Sequence, residues 1–199
     1  PIRGPAGTLF WEHVLPSEIR TRTLEYLDLG LEPAIASRFT IPGVPQAAPT
    51  PDIATFSKRL ASLPLIAEPG TKWSYSVSLD LLGHVIGTVS GMEFGAFLKQ
   101  RIFDPLDMKS TWFQLPKAEA GRLVTNYAPV NGFLLPVDTG TASIYLDKPA
   151  FSFGGSGLIS STRDYDRFLA MLLGKGALDG KRVMKPETVE LATSNLLPA

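Results

Sequence analysis

Between residues 50 and 104 the apolar side chains recur every three to four positions, the period of helices that bury one face. Ile53, Phe56, Leu60 and Leu63 predict a helix running to about Ser62, with Thr50 as its cap and Pro51 at its first position. Leu79, Leu82, Val85, Ile86 and Val89 predict a second helix with a buried apolar stripe, ended by Gly91. Phe94, Phe97, Leu98 and Ile102 mark a third, which Asp104-Pro105 stops. Beyond residue 110 the period changes. Residues 123–130 and 133–137 flank Asn131-Gly132, the pair favoured in tight hairpin turns, while Pro129 and Pro136 keep these strands short or at an edge. Ser161 with Asp164 fits a capping box ahead of Phe168, Leu169, Leu172 and Leu173, and Gly174 closes that helix. A last short helix starts near Pro186 and carries Val189 and Leu191. Upstream, a short helix over 17–27 precedes a Pro-rich tract to residue 49, which reads as a covering loop.

Composition narrows the class. Of 199 residues, 44% are hydrophobic and 19% charged, a globular rather than a disordered balance. Nineteen basic and nineteen acidic side chains cancel, so nothing global favours nucleic acid or an anionic membrane surface. No apolar run approaches the length of a membrane span, and the absence of cysteine removes disulfides, thiolate metal sites and cysteine nucleophiles. The chain opens on Pro1 and its first methionine is Met92, so it is expected to be an internal piece of a longer protein.

Candidate chemistry centres on Tyr75. In Glu68-Pro69-Gly70-Thr71-Lys72-Trp73-Ser74-Tyr75-Ser76-Val77, Pro69 presets φ and Gly70 tolerates positive φ, so the pair reads as a type II turn that aims the phenol at the start of an apolar helix. A tyrosine holds its proton until about pH 10, so one acting as a base needs a cationic neighbour, and the sequence alone identifies none. The competing reading is a boundary aromatic with an apolar body and a wet tip. Ser156 fails the nucleophile-elbow pattern, because the fifth position counted from Gly154 is Leu158. The glycines of Gly154-Gly155-Ser156-Gly157 read instead as a place where backbone approaches a neighbouring segment or a ligand, and they lack the Gly-Lys-Ser/Thr ending of a phosphate loop. His13 and His84 belong to no metal-ligand pattern and neither is marked as the partner of a serine. Asp164 with Asp166 reads as a solvated helix face.

The surroundings of Tyr75 resemble those of the serine beta-lactamase-related hydrolases: class C beta-lactamases, D-Ala-D-Ala carboxypeptidases, and family VIII carboxylesterases with their transesterase relatives. Residues 63–77, from Leu63-Pro64-Leu65 through Trp73-Ser74-Tyr75-Ser76-Val77, resemble the family's approach to its catalytic tyrosine, and Asp80-Leu81-Leu82-Gly83 continues the match. Ile102-Phe103-Asp104-Pro105-Leu106-Asp107-Met108 is similar to its Pro-Leu-Gly-Met segment, with Asp107 in place of the usual glycine. Gly154-Gly155-Ser156-Gly157-Leu158 is similar to its Gly-Gly-x-Gly-Leu stretch before a helix.

That resemblance implies an α+β fold of the beta-lactamase/transpeptidase-like type, of which these residues supply mainly the helical lobe, with helix exceeding strand. Residues 1–49 would form an irregular covering region, 50–112 the helical lobe with the tyrosine, 113–160 a hairpin and Gly-rich segment, and 161–199 the C-terminal helices. It implies a Ser-x-x-Lys motif supplying the nucleophile, a tyrosine that shuttles its proton, and a third motif that helps form an oxyanion hole. Tyr75 matches the tyrosine, and Val77, Phe153, Gly154 and Gly155 become candidates for lining the substrate pocket. No lysine in the chain has a serine three residues before it. The closest approach, Thr55-Phe56-Ser57-Lys58, stands too near Tyr75 to be the nucleophile motif. The expected protein is therefore a central section of a serine hydrolase with no metal or cofactor, inactive without the residues that carry the serine. Beta-lactamases commonly read Tyr-x-Asn where this chain has Val77, which cannot hydrogen-bond an acyl amide. This favours carboxylic esters over a second possibility, beta-lactams or D-Ala-D-Ala peptides, and over a third, a non-catalytic binding or scaffold domain. The expected partner is a small-molecule ester or amide, not nucleic acid and not a membrane-spanned bilayer. Helices without their sheet would leave an apolar face open.

Overall fold

The computed structural model describes residues 51–65, 67–71, 77–130 and 132–195. The helix expected over 17–27, the loop to residue 49, Thr50 and Tyr75 lie outside the described residues. The chain divides into two compact units, Pro1–Pro64 and Leu65–Ala199. In the first, α1 spans Ile53–Ala61 and is capped by Asp52 rather than Thr50. Oδ1 of Asp52 accepts the amides of Ala54 and Thr55 at 3.0 Å each, and Oδ2 accepts the Thr55 hydroxyl at 2.8 Å. A carboxylate satisfies several orphan helix donors at once, so Pro51 precedes the cap instead of opening the helix. These bonds, the Thr55 amide foremost, hold the Asp52 carboxyl below its ordinary range.

In the second unit, α2 spans Ser78–Ser90 and ends at Gly91, which takes the left-handed conformation at φ 67°. The following helix, α3 (Phe94–Leu98), passes directly into a wider π turn over Lys99–Phe103 before the chain reaches Pro105. The hairpin forms as expected, with β1 (Asn126–Val130) antiparallel to β2 (Phe133–Asp138) and Val130 opposite Phe133. After two short 3-10 turns and the Gly-rich segment comes α4 (Thr162–Leu173), and then α5 (Pro186–Ala192). Between them lies a small hairpin, β3 (Ala177–Leu178) with β4 (Lys181–Arg182), absent from the sequence-based expectation. Its turn is Asp179-Gly180, both at positive φ (50° and 74°), the geometry of a type I′ hairpin. Helix exceeds strand among the described residues, and both sheets there are two-stranded. No single described helix is long and apolar enough to cross a membrane.

The core of this unit joins the end of the π turn to α4. Phe103, Leu106 and Met108 pack with Met171, flanked by Phe168 and Leu172 from α4 and by Leu178 and Val183 from the small hairpin. Position 107 lies inside this cluster's backbone at φ 56°, a conformation natural to glycine and tolerated by aspartate, which accounts for the substitution in the Pro-Leu-Asp107-Met run. Arg167 ties the layers by donating to the Leu106 carbonyl and to Asp179, the latter at 2.6 Å.

Two expectations change. The α2 stripe is not buried: Leu79, Leu82 and Val85 are about half exposed and Val89 is 84% exposed. The buried positions of α2 are Asp80 and Gly83, the glycine because a Cβ there would lie 3.1 Å from the Phe94 ring. Leucines and valines on this helix occupy more than one face, so periodicity marks an apolar helix without saying which side meets α3. Leu173 and Leu191 are exposed as well. Asp164, read as part of a solvated face, is only 3% exposed. Ser161 caps α4 by accepting the Asp164 amide at 3.2 Å, but the Asp164 carboxylate turns away from the reciprocal half of the capping box. Its Oδ2 accepts the Ser110 amide at 2.6 Å and the Thr111 hydroxyl at 2.8 Å. Those bonds clamp the strand-like segment where Trp112 and Ile159 exchange backbone hydrogen bonds at 2.9 and 2.8 Å.

Replacing Asp164 with alanine removes the acceptor of the half-buried Ser110 amide and leaves the buried Thr111 hydroxyl with Ser160 Oγ alone, at 2.9 Å. The expected loss is about 3 kcal/mol of unfolding free energy, read as a lower urea midpoint of the protein.

Candidate active site

Tyr75 and its immediate neighbours stand before α2, and the described chain resumes at Val77, the N-cap of that helix. Val77 offers no side-chain cap, but its carbonyl accepts the amides of Asp80 at 3.1 Å and Leu81 at 3.2 Å. The first turn of α2 is where the Gly-rich segment arrives. A Cβ on Gly154 would lie 1.9 Å from the Leu79 carbonyl oxygen, so only glycine permits this approach. One residue further on, the Gly155 amide donates to Asp80 Oδ1 at 3.1 Å. Asp80 is 9% exposed and occupies the first helical turn, where a negative charge opposes the positive end of the helix dipole. Backbone approach to a neighbouring segment, expected for these glycines, is thus what they provide.

Phe153, just before, stacks obliquely on Phe151 with ring centroids 4.2 Å apart, and Gly157 at φ 80° lies beneath its ring. A second acidic residue grips the same segment from the other side. Glu93 caps α3 by accepting the Ala96 amide at 2.9 Å. A Cβ on Gly95 would fall 2.6 Å from Ser152 Oγ and 3.0 Å from Glu93 Oε2, so a side chain there would displace the two groups that meet at this crossing. Burial pushes the Glu93 carboxyl up, but hydrogen bonds from the Ser152 hydroxyl and from the amides of Gly95, Ala96 and Ser152 outweigh it and hold the group below the ordinary glutamate range.

Among the candidates, Gly154 and Gly155 are brought against Leu79 and Asp80, two and three residues after Val77, and Phe153 precedes them in the chain. A cavity of about 230 Å³ opens on the Ser152 side, lined by Glu93, Lys99, Trp112, Phe113 and Gln114, and none of Val77, Phe153, Gly154 or Gly155 lines it. Among the described residues no three His, Cys, Asp or Glu side chains converge on a metal-sized site. Sequence reasoning missed Asp80 and Glu93 as functional neighbours. Asp80 had a local signal, an acid in the first turn after Tyr75, but its partner lies 75 residues away.

Residues 28–198 match the sequence model of the beta-lactamase family. Protein Rv1367c of Mycobacterium tuberculosis is 33% identical over 138 residues, covering 69% of this chain and 34% of that protein. Lovastatin esterase of Penicillium rubens is 32% identical over 135 residues, 67% of this chain and 33% of the esterase. Among solved structures, a mutant of simvastatin synthase from Aspergillus terreus superposes with a TM-score of 0.58 at 26% identity, covering 69% of this chain and 34% of the synthase. The chain spans about a third of the length of these relatives.

Gly154→Ala forces the Leu79 carbonyl and the Gly-rich segment apart, at an expected cost of about 2 kcal/mol in urea unfolding. Glu93 contributes stability that is fully present above pH 4.5 and is lost as pH falls through its lower folded value. Glu93→Gln should flatten that acid limb, with a difference below about 1 kcal/mol, in thermal melts recorded downward from about pH 6.

Proposed function

This chain belongs to the beta-lactamase family and has its beta-lactamase/transpeptidase-like fold, and from that premise we propose that it is the central section of a serine hydrolase that cleaves carboxylic esters through an acyl-enzyme. The observation that carries the proposal is the seam between Gly154-Gly155 and the first turn of the helix that follows Tyr75. It brings a glycine-rich segment to Leu79 and Asp80 in the first turn of α2, four and five residues after Tyr75 in sequence. The Ser-x-x-Lys serine lies in residues of the protein outside this chain, a reading supported by the absence of that motif here and by the open apolar face of α2.

In this mechanism Tyr75, held as the phenolate by the lysine ammonium, takes the serine proton as the hydroxyl attacks the ester carbonyl carbon. Backbone N–H donors stabilise the tetrahedral oxyanion, which collapses to the acyl-enzyme while Tyr75 returns the proton to the departing alkoxide. Water then loses a proton to the same phenolate as its oxygen attacks the acyl carbon, and the acid leaves as the bond to the serine oxygen breaks and Tyr75 returns that proton to it. Val77, Phe153, Gly154 and Gly155 are assigned to the acyl side of a substrate pocket that the serine-bearing residues would complete, distinct from the cavity on the Ser152 side. Esters are favoured over beta-lactams because Val77 cannot engage an acyl amide, and the name of one relative, lovastatin esterase, points the same way.

In the intact protein, Tyr75→Phe should lower kcat for p-nitrophenyl butyrate by about 10² to 10⁴, with KM little changed. The wild-type protein should turn over this ester faster than nitrocefin. Faster nitrocefin hydrolysis would move the assignment to a beta-lactamase, and equal rates for Tyr75→Phe and wild type would remove the tyrosine from the mechanism.

A further inference from the structure

Lys99 and Phe103, the two ends of the π turn, line both the cavity on the Ser152 side and a second cavity of about 260 Å³. Thr111 and Trp112 line both as well, so the two hollows are arms of one groove that meet at this wall. Their chemistry differs. The second arm has buried Phe103 and Met108 in its lining and carries two ion pairs, Lys99 with Asp104 and Lys109 with Asp107, the latter at 2.9 Å. The Ser152 arm is walled by Trp112 and Phe113, and its acid and its amide are already engaged: Glu93 by the donors described above, Gln114 by the Leu146 carbonyl, to which it donates at 3.1 Å.

The two ion pairs leave hydrogen-bonding capacity unspent. An ammonium has three donors, and Lys99 gives one to Asp104. Asp107 meets Lys109 through Oδ1, which leaves its second oxygen without a hydrogen bond from any described residue. The ammonium of Lys109, with Arg167 and Arg163 beyond it, holds the Asp107 carboxyl below its ordinary range, so the group is ionised at neutral pH. Position 107 has φ 56°, where glycine is free of strain, yet it carries this carboxylate into the groove. Lys99 and Asp107 thus both reach the groove from uncommon backbone, a π turn and a left-handed residue, and such departures cluster at functional sites.

We propose that this groove binds a free α-amino acid with a large apolar side chain, its α-carboxylate on Lys99, its α-ammonium on Asp107, and its side chain laid against Trp112 and Phe113 in the Ser152 arm. A zwitterion uses the free donors of Lys99 and the free oxygen of Asp107 together, and Lys99, lining both arms, stands where head group and side chain part. The site is separate from the ester chemistry, since none of Val77, Phe153, Gly154 and Gly155 lines either arm. The competing role for the two ion pairs is to hold the loop after the π turn, which requires no ligand.

The test is isothermal titration of the intact protein with L-tryptophan, indole-3-propionate and tryptamine, which share the indole and differ in charge. Tryptophan is expected to bind saturably with a Kd below about 1 mM, and each singly charged analogue at least about fivefold more weakly. K99M should weaken tryptophan and indole-3-propionate by about fivefold and leave tryptamine within about twofold. D107N should do the reverse, weakening tryptophan and tryptamine while sparing indole-3-propionate. If either variant does not fold, the three wild-type titrations still decide. The proposal is overturned by no saturable binding of tryptophan, by equal binding of all three indoles, or by binding that neither K99M nor D107N alters, as at a site elsewhere. Binding is read without turnover, so an intact protein inactive on every ester removes the hydrolase assignment while this one stands or falls on the titrations.

Discussion

A glycine α-carbon against the Leu79 carbonyl fixes where two distant parts of the second unit meet. At 1.9 Å from that oxygen no Cβ can be accommodated, so position 154 admits one residue type if the seam is to close. Closing it places the Gly155 amide within reach of Asp80 and Ser152 within reach of Glu93. Two helices, α2 and α3, thus each present an N-terminal acid to one glycine-rich strand of backbone.

Elsewhere the same device recurs. Asp164 reaches from the first turn of α4 to the backbone at Ser110, and Arg167 on the next turn reaches the Leu106 carbonyl and Asp179. Charged side chains bonded to backbone groups are stronger than neutral pairs and directional. They set the registration of loops around a small cluster made of Phe103, Leu106, Met108 and Met171. Hydrophobic burial supplies most of the stabilisation in such a cluster, while the charged contacts decide which loop conformation it accompanies.

The sequence made the elements readable and their partners much less so. Gly91, Asp104-Pro105, Gly132 and Ser161 act through backbone geometry that is local, and each ended or began an element where the pattern placed it. The α1 cap was misplaced because Thr50-Pro51-Asp52 contains two competent capping residues in three positions, and the carboxylate prevailed. The small hairpin was overlooked although Asp179-Gly180 is a type I′ signal, because its two-residue strands show no alternation. The α2 face was misjudged for a deeper reason: an apolar stripe announces burial against something, and the described residues do not include what covers it. Asp80, Glu93 and Asp164 are each acids near a helix start, a position that predicts capping, and only the folded chain shows that all three bind backbone 54 to 75 residues away.

Function follows the same division. Family membership is carried by ordered local motifs, which is why residues 28–198 match the family as a whole. In the proposed mechanism, what these motifs do together depends on the seam at Gly154 and on Tyr75, which precedes α2 in sequence. A crystal structure of the intact protein, inactivated by an alkyl phosphonate ester, tests this most directly. The account predicts phosphorus on a serine, the Tyr75 hydroxyl within about 3 Å of that serine's Oγ, and Gly155 still bonded to Asp80 beside the alkyl group. A Tyr75 hydroxyl enclosed by apolar side chains, with Gly154-Gly155 facing away from the phosphonate, would contradict it.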